Sequence, residues 1–188
     1  MPQALGMRSE VKGVWFVTAK RYLLEDYGPE QFDRFVAGVP EVHREWVRDP
    51  LASRWYPEDM MRDALASFYD VVARGNEAVF TAAMERCAML GIHWFLQLLL
   101  SVTTPRYLLR LVPTALAQIR RGPVKVHIDV RESAATLRFT GQPYATDLRY
   151  RLATPAIVRS LMSVCVGQSA HATLTYFDES THVCDVSW

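Results

Sequence analysis

Two hydrophobic periods divide the chain. Through the first two-thirds apolar side chains recur every three or four residues, the spacing of amphipathic helices; from Val124 they alternate with polar ones, the spacing of half-buried strands. The pattern predicts a helical part over about 11–121 and a sheet part over about 122–188, the latter in the order strand, strand, helix, strand, strand. The expected fold class is α+β, one domain over 1–188 closed by an antiparallel β-β-α-β-β unit.

Punctuation residues place the helices. Val11 to Ala19 has no fixed period and runs into a helix over Lys20 to Tyr27 that Gly28 ends, and Pro29 opens another. Pro57 at a first-turn position, followed by Glu58 and Asp59, starts a helix with Met61, Leu65, Phe68 and Val72 as its buried stripe. Gly75 breaks that helix and Asn76 caps the next, on which Phe80, Met84, Cys87, Gly91, Trp94 and Leu98 share a face. Thr104-Pro105 begins a helix with Leu108, Val112, Ala115, Leu116 and Ile119 inward, bent at Pro113 and ended by Gly122-Pro123.

In the sheet part Val124, Val126, Ile128 and Val130 face one way and Lys125, His127 and Asp129 the other. Arg131 to Ala134 turn the chain back through Leu137 and Phe139. Thr154-Pro155 is read as the start of a helix whose Ile157, Val158, Leu161, Val164 and Cys165 lie across the sheet. A last hairpin pairs His171–Phe177 with His182–Trp188 around Asp178-Glu179-Ser180-Thr181, with Ala172, Leu174 and Tyr176 facing Cys184, Val186 and Trp188 inward.

Composition narrows the classes. With 188 residues, half of them hydrophobic, a single domain buries roughly 70% of its unfolded surface and needs neither metal nor disulfide to fold. Three widely spaced cysteines, Cys87, Cys165 and Cys184, suit reduced thiols. The start, Met1 to Lys12, has no apolar h-region, so a cytoplasmic location is expected. The longest apolar run, Ala88 to Val102, is 15 residues, short of the roughly 20 that a membrane span needs. No membrane association is expected. Lysine occurs only at positions 12, 20 and 125, so most of the 21 basic residues are arginines. Net charge is only +1, and Arg106, Arg110, Arg120 and Arg121 share a helix with aliphatic neighbours. They read as a solvated face rather than a nucleic-acid surface.

No catalytic triad, metal-spaced Cys/His cluster or glycine-rich phosphate loop is present, so neither a cofactor nor a metal is expected. His93 falls with Arg86 and Gln97 on a polar helix flank, and Cys87 on the apolar face. Three functions compete. A non-enzymatic sensory module for a small apolar ligand would line its pocket with Phe80, Trp94, Phe95 and Tyr107. A protein-interaction or homodimerisation module would present Trp46, Trp55 and Tyr56. An enzyme would have to bring together scattered groups such as His127, Asp129, His171, His182 and Cys184. The first is preferred.

Short spaced features run the length of the chain: Val11-Lys12-Gly13 leading to Arg21-Tyr22 and Tyr27-Gly28; Arg54-Trp55-Tyr56-Pro57; Thr104-Pro105 through Leu108 and Leu111; Gly122; and the closing Cys184-Asp185-Val186-Ser187-Trp188. In these the chain resembles a lineage-restricted family of myxobacterial paralogues, distantly similar to heme nitric-oxide-binding (H-NOX) sensor domains and to vinyl-reductase-type ligand-binding domains. The resemblance implies that scaffold and a role in signalling. It does not carry over the chemistry. The heme sensors hold iron through a His on the helix before the sheet and the propionates through Tyr-x-Ser-x-Arg; residues 104–121 contain no His, and the motif is absent. The zinc of the vinyl-reductase type uses cysteines eight residues apart near the C-terminus, and eight before Cys184 stands Tyr176. The resemblance therefore implies a protein that carries neither stoichiometric heme nor zinc.

Overall fold

The computed structural model describes residues 8–92, 104–166 and 170–188. His93, Trp94, Phe95, Gln97 and Leu98 lie outside the described residues, as does the side chain of Cys165.

A short strand, β1 (Glu10–Lys12), leads into helices α1 (Val14–Asp26), α2 (Gly28–Gly38) and α3 (Glu41–Arg48). Strand β2 (Trp55–Pro57) precedes α4 (Glu58–Ser67), which runs into a π-helical turn over Phe68–Val72; α5 (Glu77–Ile92) follows. The second part holds α6 (Pro105–Ile119), β3 (Arg120–Arg121), β4 (Lys125–Val130), β5 (Ala134–Thr140), α7 (Leu148–Val166), β6 (His171–Phe177) and β7 (Thr181–Ser187). Two antiparallel sheets form, ordered β2-β1-β3 and β4-β5-β7-β6. The α+β class and the β-β-α-β-β unit expected from the sequence are both present.

Several local expectations hold for stated physical reasons. The Asn76 side chain accepts from the backbone N–H of Ala78 and Val79, capping α5. Pro29 sits in the first turn of α2, after Gly28 at φ +82°. A close approach not foreseen in the sequence makes Gly13 obligatory as well, since a Cβ there would lie 2.0 Å from the carbonyl oxygen of Leu51.

Others are corrected. On α4 the buried positions are Glu58, Met60, Ala64 and Ser67, with Met61 and Leu65 only half-buried. Met60, Ala64 and Phe68 keep helical spacing, and the extra residue of the π-turn then brings Val72, rather than Val71, back to the core. Gly91 and Ala115 are exposed. The Thr154-Pro155 pair does not start a helix: α7 begins seven residues before Pro155, at Leu148, where the Asp147 carboxylate caps it by accepting from Arg149 N at 2.8 Å. Tyr176, expected inward, is 49% exposed, because β6 carries a bulge between Leu174 and Tyr176.

The apolar core falls into two clusters joined by α7. One gathers Phe16, Leu23, Phe35, Met60, Phe68 and Phe80 from α1–α5, together with Ala153 and Ala156 of α7. The other packs Val158 and Met162 of the same helix against Leu108, Leu109, Leu137, Cys184 and Val186. An ion pair from Arg159 to Glu85, Nε to Oε1 at 2.8 Å, ties α7 to α5.

Candidate functional site, a cleft between α7 and β6

Of the residues expected to line a pocket, Phe80 is fully buried and packed edge-on against Phe68 and Tyr69, with ring centroids 6.0 and 5.5 Å away. It fills the core rather than walling a cavity. Tyr107 points to solvent from α6, 53% exposed. Trp94 and Phe95 lie outside the described residues. Among the interaction candidates, Tyr56 is 1% exposed and accepts from Leu51 N, so it is a core residue and not a surface one. Its neighbour Trp55 takes the outward face of the three-residue strand and lies between Lys12, 5.0 Å from the ring centroid, and Arg121, 4.0 Å away. Trp46 is half-buried under the Arg54 guanidinium.

The groups of the enzymatic reading do not converge. His127 and Asp129 stand on the exposed face of β4, and His171 is exposed on β6. His182 and Cys184 face inward from β7, in register with Phe139 and Leu137. His182 is fully buried: its Nε2 donates to the Ala145 carbonyl at 2.7 Å and its Nδ1 lies 3.0 Å from Thr154 Oγ1. Burial holds its pKa below the ordinary histidine value. Both ring nitrogens are engaged, so it acts as a structural clamp.

A different site is built where two regular elements are interrupted. Along α7, Leu148, Arg151, Leu152 and Pro155 occupy positions i, i+3, i+4 and i+7, hence one face. Pro155 lacks the N–H that would bond the Arg151 carbonyl, so the helix loses a rung beside that face. Opposite runs β6, an edge strand of the four-stranded sheet. Its bulge makes Thr175 the extra residue, since Leu174 pairs with Cys184 and Tyr176 with Val183. Between helix and strand opens a cleft of about 510 Å³, lined by these four α7 residues and by Leu174, Thr175, Tyr176 and Phe177. Its volume is that of a small-molecule site.

The cleft is apolar with one cation. Arg151 lays its guanidinium over the Phe177 ring at 4.4 Å, and its Nε is buried without a hydrogen-bond partner. The nearby carboxylate of Asp178 is occupied: it accepts from Ser180 N at 2.9 Å and from the Tyr176 hydroxyl at 3.0 Å. Those bonds, the one from Ser180 first, hold the Asp178 carboxyl below its usual pKa.

A second cavity lies inside the helical part among Trp15, Phe16, Phe35, Met61, Met84 and Cys87, with a volume of about 40 Å³. Burial pushes the Cys87 thiol up to about 12, so it is a packing group at neutral pH.

No protein-family model and no curated protein matches the chain. Solved structures do. The Fe(II) unliganded H-NOX protein from K. algicida superposes with a TM-score of 0.64 at 13% identity, covering 94% of this chain and 95% of that one. An H-NOX protein from S. oneidensis in the Fe(II)NO state gives 0.62 at 13% identity, over 94% and 98%. An oxygen-binding H-NOX domain related to soluble guanylate cyclases gives 0.62 at 14% identity, over 94% of each chain.

Heme is a feature of those proteins, and the described residues here do not fit it. Helix α6 contains no His, Cys or Met to meet an iron. The cavity of about 40 Å³ in the helical part is an order of magnitude below the roughly 300 Å³ at which ligand pockets begin. Of the described histidines, His43 is held by Asp63 at 2.9 Å, His182 is clamped, and His127 and His171 face solvent. Over nearly its whole length the chain has the fold of the H-NOX domain, around described residues that provide no seat for heme.

Proposed function

We propose that this chain is a non-enzymatic sensory module that binds a small, largely apolar molecule, and that the cleft between α7 and β6 is its site. The observation that carries the reading is the cleft itself: about 510 Å³, walled by Leu148, Leu152, Pro155, Leu174 and Phe177, at a place where a helix proline and a strand bulge both depart from regular geometry. Such departures cost stability and recur beside functional sites. The fold supports a binding role by analogy, since solved proteins that share it bind oxygen and nitric oxide.

The test is titration with a neutral apolar dye, N-phenyl-1-naphthylamine, followed by fluorescence. One dye per chain is expected. Leu148→Trp, which places a large ring in the cleft from a half-buried position, weakens binding at least tenfold at unchanged melting temperature. Equal dye affinity in the variant would refute the assignment.

A second reading, docking of a protein partner, is favoured by Trp55. Its ring is held outward between Lys12 and Arg121, and neither cation has a carboxylate within 4.0 Å among the described residues. That face suits an acidic partner.

A further inference from the structure

Arg151 gives the cleft a chemical preference. Its guanidinium carries five N–H donors in a fixed plane. Among the described residues it donates no hydrogen bond and lies within 4.0 Å of no carboxylate, and Nε is removed from solvent. A buried donor without an acceptor is costly. The Phe177 ring, 4.4 Å from the guanidinium carbon, keeps the group at the cleft wall. Two acids close in sequence are already engaged, Asp178 by Ser180 and Tyr176 and Asp147, one turn earlier at the cap of α7, by Arg149. The cleft thus joins one unpaired, oriented cation to walls of leucine, proline and phenylalanine.

We propose that the cleft binds an amphipathic monocarboxylate, with the acid on Arg151 and the hydrocarbon along Leu148, Leu152, Pro155 and Leu174. A carboxylate is the group whose two oxygens match two parallel N–H bonds of a guanidinium, here those of the two terminal Nη atoms, since Nε is closed off from solvent. An apolar body without the acid would cover the guanidinium without offering it an acceptor. A doubly charged ligand would bring a second charge among the leucines with nothing there to receive it. This assignment rests on the cleft being the binding site, as proposed above, and adds the ligand class.

The experiment compares octanoate with octan-1-ol by calorimetric titration of the full chain, with backbone amide shifts to locate each. Octanoate is expected to bind at least tenfold more tightly than octanol, both shifting amides at 148–154 and 173–177. Arg151→Gln should remove that preference by weakening octanoate at least tenfold while leaving octanol unchanged, which a merely structural arginine would not do. Equal affinity of the two in the unaltered protein overturns the carboxylate assignment and leaves the apolar site standing; this comparison needs no variant. Absence of binding by both, with no shifts at the cleft, overturns both proposals. Octanoate shifts confined elsewhere, or dimerisation through the cleft that octanoate does not displace, also overturn the assignment.

Discussion

At the scale of single residues, burial decides role more than residue type does. Trp55 and Tyr56 are adjacent aromatics in one three-residue strand, yet one faces cations at the surface and the other the core. A sequence shows that they point in opposite directions, because strand side chains alternate; it does not show which direction is inward, since only three residues alternate. Cys184 is the converse case, legible because its strand is long. It is fully buried between Leu137 and Leu174 in register, and burial, with Asp185 adding to it, pushes its thiol up to about 12. The Cys184→Ser variant replaces that thiol with a hydroxyl lacking an assigned acceptor and should lose about 1–3 kcal/mol of stability. Chemical denaturation measures the loss. Dye affinity at the cleft should be unchanged, because Cys184 is not among its lining residues. A variant of normal stability with altered binding would give the cysteine a functional role.

At the scale of elements, the hairpins were readable and the interruptions were not. Strands β4 and β5 follow from strict alternation, and the α5 start from Asn76. Both elements that build the cleft hide their irregularity. His171 to Phe177 alternates as cleanly as a regular strand, and the bulge appears only when β6 is laid against β7. Proline most often marks a first helical turn, which is why Pro155 suggested a start. The better signal was Asp147 before Leu148. Within α7 the Thr154 hydroxyl bonds the Tyr150 carbonyl at 2.8 Å, a back-bond that itself favours bending. Of the described aromatic candidates, Phe80 packs in the core and Tyr107 faces solvent, because aromatic spacing on a helix most often marks core, and neither lines the cleft. If Pro155 holds the cleft open, Pro155→Ala restores the N–H for the Arg151 carbonyl and straightens α7. The expected result is a higher melting temperature, with stability gained on the order of 1 kcal/mol, and weaker dye binding. A gain in stability with unchanged affinity would mean that Pro155 does not shape the site.

At the scale of the molecule, the two core clusters meet at a buried polar junction. The Glu58 carboxylate, at the first turn of α4 and 2% exposed, accepts from Arg120 after α6, from the Tyr150 hydroxyl of α7 at 2.9 Å and from Ser9 beside β1 at 3.1 Å. Desolvation first, and then the negative charge of Glu58, hold the Tyr150 hydroxyl well above its usual pKa, so it remains a donor. Four segments far apart in sequence thus share one charge. An ion pair so placed contributes little net stability against an apolar substitute, but removing one member strands the other. Arg120→Met is expected to cost about 3–5 kcal/mol by leaving Glu58 unneutralised. Glu58→Gln, which still accepts from Tyr150, should relieve that burden, so the double variant is less damaged than the sum of the singles by about 1–3 kcal/mol. Urea denaturation followed by both tryptophan fluorescence and far-UV circular dichroism measures the cycle. Because α7 belongs to both clusters and to the junction, the two signals should coincide in one transition in the parent protein. Additive losses would show that Glu58 and Arg120 are not coupled, and separate transitions would show that α7 does not join the helical and sheet parts into one cooperative unit.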